Sequence, residues 1–495
     1  MKKRIFSIVL SMLLCTTSIL EINVFANDSI ALDGAPSCNI SNNNYWFYFG
    51  TNVESYLYEN ADKTLTRVEN IDGLVVVENY SANGDKLIST QNIDLELNIF
   101  GGFYSGKDYN FLVFGQQNPN ESDNTEIMRV VKYSKDWHRL SSGSVYGANT
   151  YIPFDAGSLR MTETSGKLYV YTCHEMYQTD DGLHHQANMT FVFDENNLSV
   201  VDSYSGIMNI YYGYVSHSFN QFIQTDGEYV YRVDHGDAYP RGISITKCAV
   251  NGRITNVDVA IPVLFEGYIG DNYTNATVGG FELSSDNCII AGSMGDHTSE
   301  NWAHTAQNIF LSITKKDLSS TNDIVWLTDY DSSAETDVGT PQLVKIGNDR
   351  FLLMWEEYNT STYSACIKMV TVDSNGNKTS KIVSSKLWLS DCQPIKCSDG
   401  LVRWYYTSDE KPNLCVIDPF DLESITSFTT YGDADGNGAI NMLDVLLIRK
   451  YIAKQPVALD TIVADVTCDN AVNMLDVLLI RKFIAKQPVH LGPQK

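Results

Sequence analysis

Hydrophobic and polar residues alternate along most of the chain in short runs, and turn residues interrupt these runs at nearly regular intervals. Between residues 27 and 430 the runs are rich in Tyr, Phe, Val and Ile, as in Leu168–Tyr171 and Phe351–Trp355, and Asn-Gly, Asp-Gly or Gly-Asn pairs separate them. Such alternation is typical of β-strands, whereas helical periodicity is almost lacking there. The pattern therefore predicts an all-β module.

Two classes of turn alternate along this module, with seven members in each. The first class lies at Asn43, Lys107, Gly166, Gly227, Asn287, Asn348 and Gly400. The second class lies near Gly84, Asp136, Asn197, Gly252, Asp317, Gly376 and Pro419. Seven turns of each class predict seven four-stranded units, which stack radially because one such sheet cannot bury both faces alone. We expect a seven-bladed β-propeller, with six or eight blades as alternatives; a pair of β-sandwiches fits this period poorly.

The C-terminal region changes to a helical pattern and repeats itself. Residues 441–457 return at residues 473–489 with one difference, Phe483 in place of Tyr451. Each copy is preceded by a segment spaced like the calcium loop of an EF-hand, in which alternate residues direct oxygen ligands at one cation. The sequence therefore predicts two calcium ions, one for each copy.

The two loops supply their ligands at equivalent positions. In the first loop the predicted ligands are Asp433, Asp435, Asn437, the carbonyl of Ala439, Asn441 and Asp444. In the second loop they are Asp465, Thr467, Asp469, Ala471, Asn473 and Asp476. Thr467 stands at a usual Asp or Asn position and Asn470 replaces the expected glycine, so we expect weaker binding in the second loop.

Residues 431–489 resemble a type I dockerin, because Asp occupies the twelfth loop position and only one helix leaves each loop. The resemblance implies calcium binding and docking to a cohesin module of a scaffoldin in a cellulosome-like assembly. It also implies that the cohesin-facing residues are Met442, Leu443, Arg449, Lys450, Met474, Leu475, Arg481 and Lys482. The near-identity of the two halves implies two equivalent binding orientations related by a half turn. A calcium-stabilised appendage without a partner is the alternative.

The N-terminus has the pattern of a secretory signal peptide. Met1–Arg4 is basic, Ile5–Leu14 is apolar, and Val24–Ala26 ends in a small residue before a cleavage site. The apolar run is too short to span a membrane, and the bulky Leu14 disfavours a lipoprotein anchor at Cys15. We therefore expect a secreted protein with these parts: signal peptide 1–26, propeller 27–425 and dockerin 426–495.

Composition narrows the range of partners. The chain has 35 Lys and Arg against 60 Asp and Glu, a formal net charge of −25. Such a chain is repelled by nucleic acid and by anionic membranes, so we expect neither as a partner. The ten cysteines are scattered without a Cys-x-x-Cys pair, which favours buried thiols over a disulfide framework.

Seven of the nine histidines fall between His174 and His304. On the predicted propeller His217 opens the inner strand of the fourth blade, and the others lie in or beside B–C loops, which join the second and third strands of a blade. We place Asp234–Gly242 in the B–C loop of the fourth blade. B–C and D–A loops share one face, so polar groups converge there. The candidate catalytic residues are His174, Glu175, His185, His217, His235, Asp237, Tyr239 and Arg241. Three convergent histidines would also permit a divalent metal such as Zn or Mn.

One function that fits these residues is a lyase acting on an acidic polysaccharide. Arg241 or a bound metal would neutralise the uronate carboxylate. His174 or His217 would remove the adjacent proton, and Tyr239 would protonate the leaving oxygen.

Two other functions fit as well. A glycosidase would use two carboxylates from the set Glu175, Asp237 and Asp296. A non-catalytic sugar-binding propeller would stack sugar rings on Trp302, Tyr177 and Tyr239. Because dockerins usually deliver enzymes to plant cell walls, the resemblance favours a polysaccharide-acting enzyme, with the binding module as the alternative.

Overall fold

The computed structural model describes the chain in segments. These are residues 30–31, 50–206, 217–320, 324–331, 335–361, 364–408, 411–422, 431–432, 434, 440–457, 459, 461–467, 469, 471–487, 489 and 491. The predicted signal peptide lies outside the described residues. So do the segment 423–430 before the calcium loops, the predicted turn at Asn43, and Asp433, Asp435, Asn437 and Ala439 of the first calcium loop.

Within these segments the chain forms thirty β-strands. They are β1 Ile30–Ala31, β2 Ser55–Glu59, β3 Leu65–Ile71, β4 Leu74–Tyr80, β5 Leu87–Asp94, β6 Ile99–Ser105, β7 Asn110–Gly115, β8 Glu126–Tyr133, β9 Arg139–Tyr146, β10 Thr150–Pro153, β11 Arg160–Thr164, β12 Lys167–Met176, β13 Gln186–Asp194, β14 Val200–Tyr204, β15 Ser218–Thr225, β16 Tyr229–Gly236, β17 Arg241–Ala249, β18 Asp258–Phe265, β19 Ala276–Leu283, β20 Asn287–Met294, β21 Asn308–Lys315, β22 Val325–Trp326, β23 Thr336–Val338, β24 Gln342–Gly347, β25 Arg350–Asn359, β26 Ser364–Asp373, β27 Val383–Ser385, β28 Ile395–Lys396, β29 Val402–Ser408 and β30 Lys411–Ile417.

The strands form seven separate antiparallel sheets in chain order. Blades one to seven consist of β2–β5, β6–β9, β10–β14, β15–β18, β19–β22, β23–β27, and β28–β30 with β1. The inner strands of successive blades contact one another, as β11 does with β15 and β15 with β19. This arrangement is a seven-bladed β-propeller, which confirms the fold predicted from the turns.

The ring closes through the N-terminal strand. Ile30 pairs with Leu414 and Ala31 pairs with Asn413, so β1 is the outermost strand of blade seven. The turn predicted near Pro419 is present, with Asp421 N donating to Asp418 O at 3.2 Å, but it does not lead into the outer strand of blade seven, because that strand comes from the other end of the chain. In blade one, the sequence predicts a turn of the first class at Asn43, which lies outside the described residues. The turn that joins β2 to β3 lies at Asn60–Thr64, with Lys63 N donating to Asn60 O at 2.9 Å.

Neighbouring blades bury the two faces of every sheet between them. On β12, Leu168 and Val170 pack in one apolar cluster with Phe111 of blade two. Tyr169, on the opposite face, packs in another cluster with Val230 of blade four. Successive side chains of a strand point to opposite faces, so a strand between two blades is apolar throughout. This explains why the inner runs lack a polar face.

The cysteines contribute to these clusters as thiols. The seven in the described segments are free, and all but Cys366 are buried. This agrees with the prediction of buried small side chains for this part of the chain. Cys15, Cys38 and Cys468 lie outside the described residues.

The C-terminal region consists of helices α1 Met442–Ile452, α2 Thr461–Ala464 and α3 Met474–Ile484. Asn441 caps α1, because Leu443 N donates to its Oδ1 at 2.8 Å while Asn441 N donates to Asp444 Oδ2 at 2.7 Å. Asn473 caps α3 with the same two distances. The helices share a small core that includes Val445, Ile448, Val477 and Ile480. Among the described residues, no helix is both long enough and apolar enough to cross a lipid bilayer.

The close approach of blades five and six near the axis yields a first prediction. A Cβ atom on Gly279 would lie 1.8 Å from Pro341 O, so Gly279→Ala forces two backbones apart. We expect a loss of about 1–3 kcal/mol or more in the unfolding free energy, measured by urea denaturation. Gly347→Ala is the matched control, because its nearest neighbour would be the Arg350 side chain at an ordinary 3.5 Å. Equal stability of both variants would contradict the close packing.

Candidate functional site

The seven clustered histidines all lie at the end of the ring where B–C and D–A loops emerge. His174 and His235 are near the ends of β12 and β16, and His217 directly precedes β15. The other four are in B–C loops: His184, His185, His297 and His304. The placement of Asp234–Gly242 in a loop needs correction. His235 pairs with Ile243, and Gly236 pairs with Gly242, so the B–C loop is reduced to residues 237–240.

His174 is fully buried, which removes it as a base acting on a polymer. Its Nδ1 lies 2.7 Å from Thr150 Oγ1, and none of its surface is exposed. Burial lowers the pKa of His174 to about 3. A neutral ring enclosed by the fold is a structural group, so the proton-abstraction role suggested for His174 has no geometric support.

The other polar groups of blade three interact with one another at its surface. His184 stacks on Tyr151 with 4.0 Å between ring centroids, and its Nδ1 donates to Met176 O at 2.8 Å. His185 Nε2 donates to Asp181 at 2.7 Å. Burial raises the pKa of Glu175, with a smaller contribution from the charge of Asp155. None of these side chains lines the central pocket described next.

A pocket of about 260 Å³ opens where blades four, five and six meet. Its walls include Phe219, His235, Asp237, Tyr273, Gln307 and Thr340. Asp237 is the single charged residue among the side chains that line it. Aromatic faces beside uncharged hydrogen-bonding groups are suited to an uncharged polar ligand.

Asp237 forms a pair with His217 at the pocket wall. His217 Nδ1 donates to Asp237 Oδ1 at 3.1 Å, and Asp237 N donates to His217 O at 3.3 Å. The carboxylate is largely buried, whereas about a third of the imidazole is exposed. Of the candidate residues from the sequence, His235 and Asp237 line the pocket, and His217 contacts it through Asp237. The His217–Asp237 pair could take or give a proton.

Two buried polar atoms of the pocket have no hydrogen-bond partner within the protein. They are His235 Nδ1 and Thr340 Oγ1, in side chains that are 3% and 1% exposed. His235 Nε2 lies 2.8 Å from Thr274 Oγ1. Burial, assisted by the charge of His297, lowers the pKa of His235 to about 4. The ring is therefore neutral near pH 7, and its Nδ1 remains for one hydrogen bond.

Arg241 supports this site from outside it. Its Nε and Nη2 donate to Glu266 O, and Nη1 donates to Tyr273 O at 2.5 Å. The guanidinium also lies 5.4 Å from the ring centre of Trp302. These contacts hold both ends of the 266–275 loop and leave the side chain 2% exposed. Neutralisation of a uronate by Arg241 therefore has no support in this geometry.

Three exposed tyrosines, here called the shelf, lie on the two loops that also contribute to the pocket wall: Tyr239, Tyr268 and Tyr273. Their exposed fractions are 51%, 82% and 55%. Tyr239 and Tyr268 line a shallow cavity of about 330 Å³, whereas Tyr273 lines the pocket itself and stacks on Trp302. Tyr239 is thus exposed for stacking, and it is not among the residues that line the pocket with Asp237.

The three carboxylates proposed for a glycosidase occupy different places. Asp237 lines the pocket, and Glu175 belongs to blade three. Asp296 lines a separate cavity of about 810 Å³ with Trp326, and its Oδ1 accepts from Thr298 N at 2.9 Å. The structure does not bring these carboxylates together in one pocket. Tyr177, a predicted stacking residue, hydrogen-bonds to Asn118 at 3.0 Å.

Sequence reasoning missed most of the pocket walls. Gln307 Nε2 donates to Asn275 Oδ1 at 3.1 Å, and Ser293 Oγ donates to Gln307 Oε1 at 3.1 Å. Asn275 Nδ2 donates to Trp302 O at 2.9 Å. These residues carry no motif. Their position in the fold is the one indication of a role in the pocket, because Asn275 ends a D–A loop and Gln307 ends a B–C loop.

The second calcium loop is described in part, and it brings together the ligands at its two ends. Thr467 Oγ1 lies 3.1 Å from Asp465 Oδ1 and 2.9 Å from Asp476 Oδ1. Asp476 is fully buried and Asp465 is 8% exposed. Two buried carboxylates around one hydroxyl fit a bound cation. Asp469 Oδ1 accepts from Ala471 N at 2.9 Å, and Asn473 caps α3.

The predicted cohesin-facing side chains are exposed in both halves. Met442, Leu443, Met474 and Leu475 are between 55% and 58% exposed. Of the basic pairs, Arg449, Lys450 and Arg481 are exposed and Lys482 is half-buried. The two helices therefore present nearly equal apolar surfaces with basic groups on the same helix.

A transition-metal site in the propeller finds no support in the described part of the chain. There, no group of three or more His, Cys, Asp or Glu side chains is arranged to hold a metal ion. The clustered histidines instead bond to Thr150, Thr274 and their own neighbours. We therefore assign no metal to the propeller.

Residues 431–485 match the family model of the dockerin type I domain. No curated protein is significantly similar to the chain. Similar solved structures include the GH93 α-L-arabinofuranosidase of Fusarium graminearum with arabinobiose, at 13% identity and TM-score 0.36, covering 71% of this chain and 98% of that one. The α-L-arabinanase of Penicillium chrysogenum with arabinobiose is 10% identical, with TM-score 0.38 and coverages of 71% and 99%.

The haemagglutinin-neuraminidase ectodomain of parainfluenza virus 5 is similar at the same level. It is 8% identical, with TM-score 0.35, and the match covers 79% of this chain and 85% of that one. Likenesses of this degree do not distinguish between activities. The function must therefore be argued from the site itself.

The buried state of His174 yields a second prediction. In the unfolded chain the pKa of His174 is near 6.5, whereas burial in the folded chain lowers this pKa to about 3. Between these values the contribution of His174 to stability rises with pH, by up to about 1.4 kcal/mol per unit. The unfolding free energy of wild type minus that of His174→Gln should thus increase by about 2 kcal/mol from about pH 4.5 to pH 7. A difference independent of pH in urea denaturation would contradict the assignment.

Proposed function

We propose that this chain is a secreted component of a cellulosome-like assembly, in which the dockerin attaches a carbohydrate-active propeller to a scaffoldin. The observation that carries the docking function is the pair of equal apolar surfaces on α1 and α3, each exposing a Met-Leu pair to between 55% and 58%. Exposed apolar side chains beside basic groups are typical of a partner surface. The partner is the cohesin module of a scaffoldin, with two equivalent orientations.

Calcium would balance the negative charge of the carboxylates in the two loops. In the second loop it would be held by Asp465, Thr467 and Asp476, the groups that already converge there. The other predicted ligands complete the shell with amide and carbonyl oxygens. Because Asp476 also accepts from Asn473 N at 2.7 Å, the ion site and the start of α3 depend on the same carboxylate. Docking should therefore require calcium.

For the propeller we propose recognition of a plant-wall polysaccharide in the central pocket. The pocket combines aromatic walls, fixed amides and unpartnered polar atoms, which are the groups that bind sugar hydroxyls and ring faces. Hydrolysis is the second candidate, because the His217–Asp237 pair places one proton donor or acceptor at the pocket wall. Elimination is disfavoured, because Arg241 is bonded to backbone carbonyls.

The docking surfaces yield a third prediction. The double variant Met442→Ala/Leu443→Ala leaves the other half intact, so cohesin affinity should change little, and the same holds for Met474→Ala/Leu475→Ala. The quadruple variant removes both surfaces and should weaken binding by about thirtyfold or more in calorimetry.

Two controls accompany this experiment. Leu140→Ala removes a 49% exposed leucine from the propeller and should leave cohesin binding unchanged. Excess chelator should abolish binding by the wild type while the propeller stays folded. Wild-type affinity in the quadruple variant, or binding that survives the chelator, would refute the docking proposal.

The propeller yields a fourth prediction, tested with the full chain on a panel of plant-wall polysaccharides. We expect retention on at least one polysaccharide in affinity electrophoresis and no unsaturated product in ultraviolet absorbance. If hydrolysis occurs, reducing ends should appear, and Asp237→Asn should slow their release by about 10²–10⁴-fold while retention persists. Retention without reducing ends identifies a binding module. Failure to retain or cleave any polysaccharide would refute carbohydrate recognition, and an unsaturated product would restore the lyase hypothesis.

A further inference from the structure

The size of the central pocket limits what can enter it. Its volume is about 260 Å³, below the roughly 300–1,000 Å³ of pockets that hold drug-sized ligands. It lies at the meeting of three blades and is bounded by strand ends rather than by a groove across the face. A polymer cannot pass through such a space, but one sugar residue at the end of a chain can occupy it.

The unpartnered atoms of the pocket could pair with a polar occupant. Leaving a buried donor or acceptor unpaired is unfavourable, and native proteins rarely do so without a reason. Both His235 Nδ1 and Thr340 Oγ1 are in this state, and both side chains line the pocket. A sugar hydroxyl both donates and accepts, so it can pair with either atom.

The remaining polar groups are already held in place. Gln307 is fixed between Ser293 and Asn275, and Asn275 is fixed by the carbonyl of Trp302. Amides oriented before binding lose little freedom when a ligand arrives. The pocket therefore has the properties of a built binding site rather than of a packing defect.

The charge of the pocket selects against acidic sugars. Asp237 would repel a uronate carboxylate, and Arg241 is bonded to the carbonyls of Glu266 and Tyr273. A carboxylate placed there would be desolvated beside a like charge without a cation to pair with. An uncharged sugar meets no such barrier.

Two residues of the shelf belong to a loop that also lines the pocket. Tyr273 lines the pocket, and Tyr268 lies in the same 266–275 loop, whose two ends Arg241 holds. Tyr268 is 82% exposed and lines the neighbouring cavity with Tyr239. Exposed rings in this position are suited to stacking on the sugar residues that follow the terminal one.

We propose that the central pocket binds one uncharged sugar residue at the end of a glycan chain, and that the shelf binds the residues next to it. This proposal rests on the proposed carbohydrate recognition and defines its substrate class. His235 and Thr340 contact the terminal residue, and Arg241 is a positioning residue that acts through the 266–275 loop.

The test measures binding of oligosaccharides to the full chain by calorimetry. The probes are xylo-, arabino- and cello-oligosaccharides, matched oligogalacturonides, and the best neutral oligosaccharide with its terminal residue chemically blocked at either end. At least one neutral series should bind, and the matched uronide and one of the two blocked forms should bind at least about tenfold more weakly. Equal affinity for the uronide, or for both blocked forms, would overturn the proposal.

Two variants locate the site. Thr340→Val keeps the shape of the side chain and removes its hydroxyl, so affinity should fall about five- to tenfold. The matched control is Thr407→Val, because Thr407 Oγ1 is equally buried and unpartnered but lies in blade seven, away from the pocket. Unchanged thermal midpoints establish that both variants fold. Equal affinities of the two variants for the neutral oligosaccharide would overturn the proposal while leaving carbohydrate recognition intact.

The shelf is tested separately with Tyr268→Ala. Affinity for a trisaccharide should fall about tenfold, whereas affinity for the monosaccharide should not change. Tyr146→Ala removes a 57% exposed tyrosine elsewhere and serves as the control. An equal loss for both ligand lengths would refute the shelf. If no glycan binds the wild type while cohesin still does, the proposed carbohydrate recognition itself is wrong, and this inference fails with it.

Discussion

The structure depends on one constraint, which is that each blade has two apolar faces and needs a neighbour on both sides. β12 illustrates this, because Leu168 packs towards blade two while Tyr169 packs towards blade four. A row of such sheets becomes stable only when it closes on itself. The two-residue strand Ile30–Ala31 therefore completes the last blade and with it the ring. Ring closure also gathers the B–C and D–A loops at one end, which creates the pocket.

Polar groups are also buried between the blades, and their hydrogen-bond partners help to distinguish structural groups from functional ones. Asp234 is buried between blades three and four, where it accepts hydrogen bonds from Tyr171, Asn188 and Ser218, and burial raises its pKa well above the ordinary value. Each of its partners comes from the protein, so it joins the two blades and needs no ligand. Thr340 is equally buried, yet its hydroxyl has no partner in the protein. The pocket therefore differs from Asp234 in that this hydroxyl and His235 Nδ1, which have no partner within the protein, belong to side chains that line a space a ligand can enter.

The features that could be predicted from the sequence were those that depend on residues close together in the chain. The turns followed from residues such as Gly166 and Gly227, and the calcium ligands from a fixed spacing, so the blades and the second loop were recognisable. Strand β1 is too short to show a period. Arg241 bonds to carbonyls 25 and 32 residues away, and backbone carbonyls carry no sequence signal. The pocket is assembled across three blades, so histidine counts indicated the correct face but not the residues that line the pocket.

The two parts of the chain impose different geometrical demands, and this bears on how they work together. The docking surfaces of α1 and α3 are nearly equal, so under the proposed docking function binding through one half or the other would turn the chain by half a turn relative to a scaffoldin. A module that grips the middle of a long polymer gains little from this freedom, because each polymer offers it many binding positions. A pocket that accepts only chain ends gains more, because ends are scarce and point in all directions on a wall surface. The paired docking surfaces and the small pocket are therefore consistent with one proposed task, the capture of chain ends from a fixed scaffold.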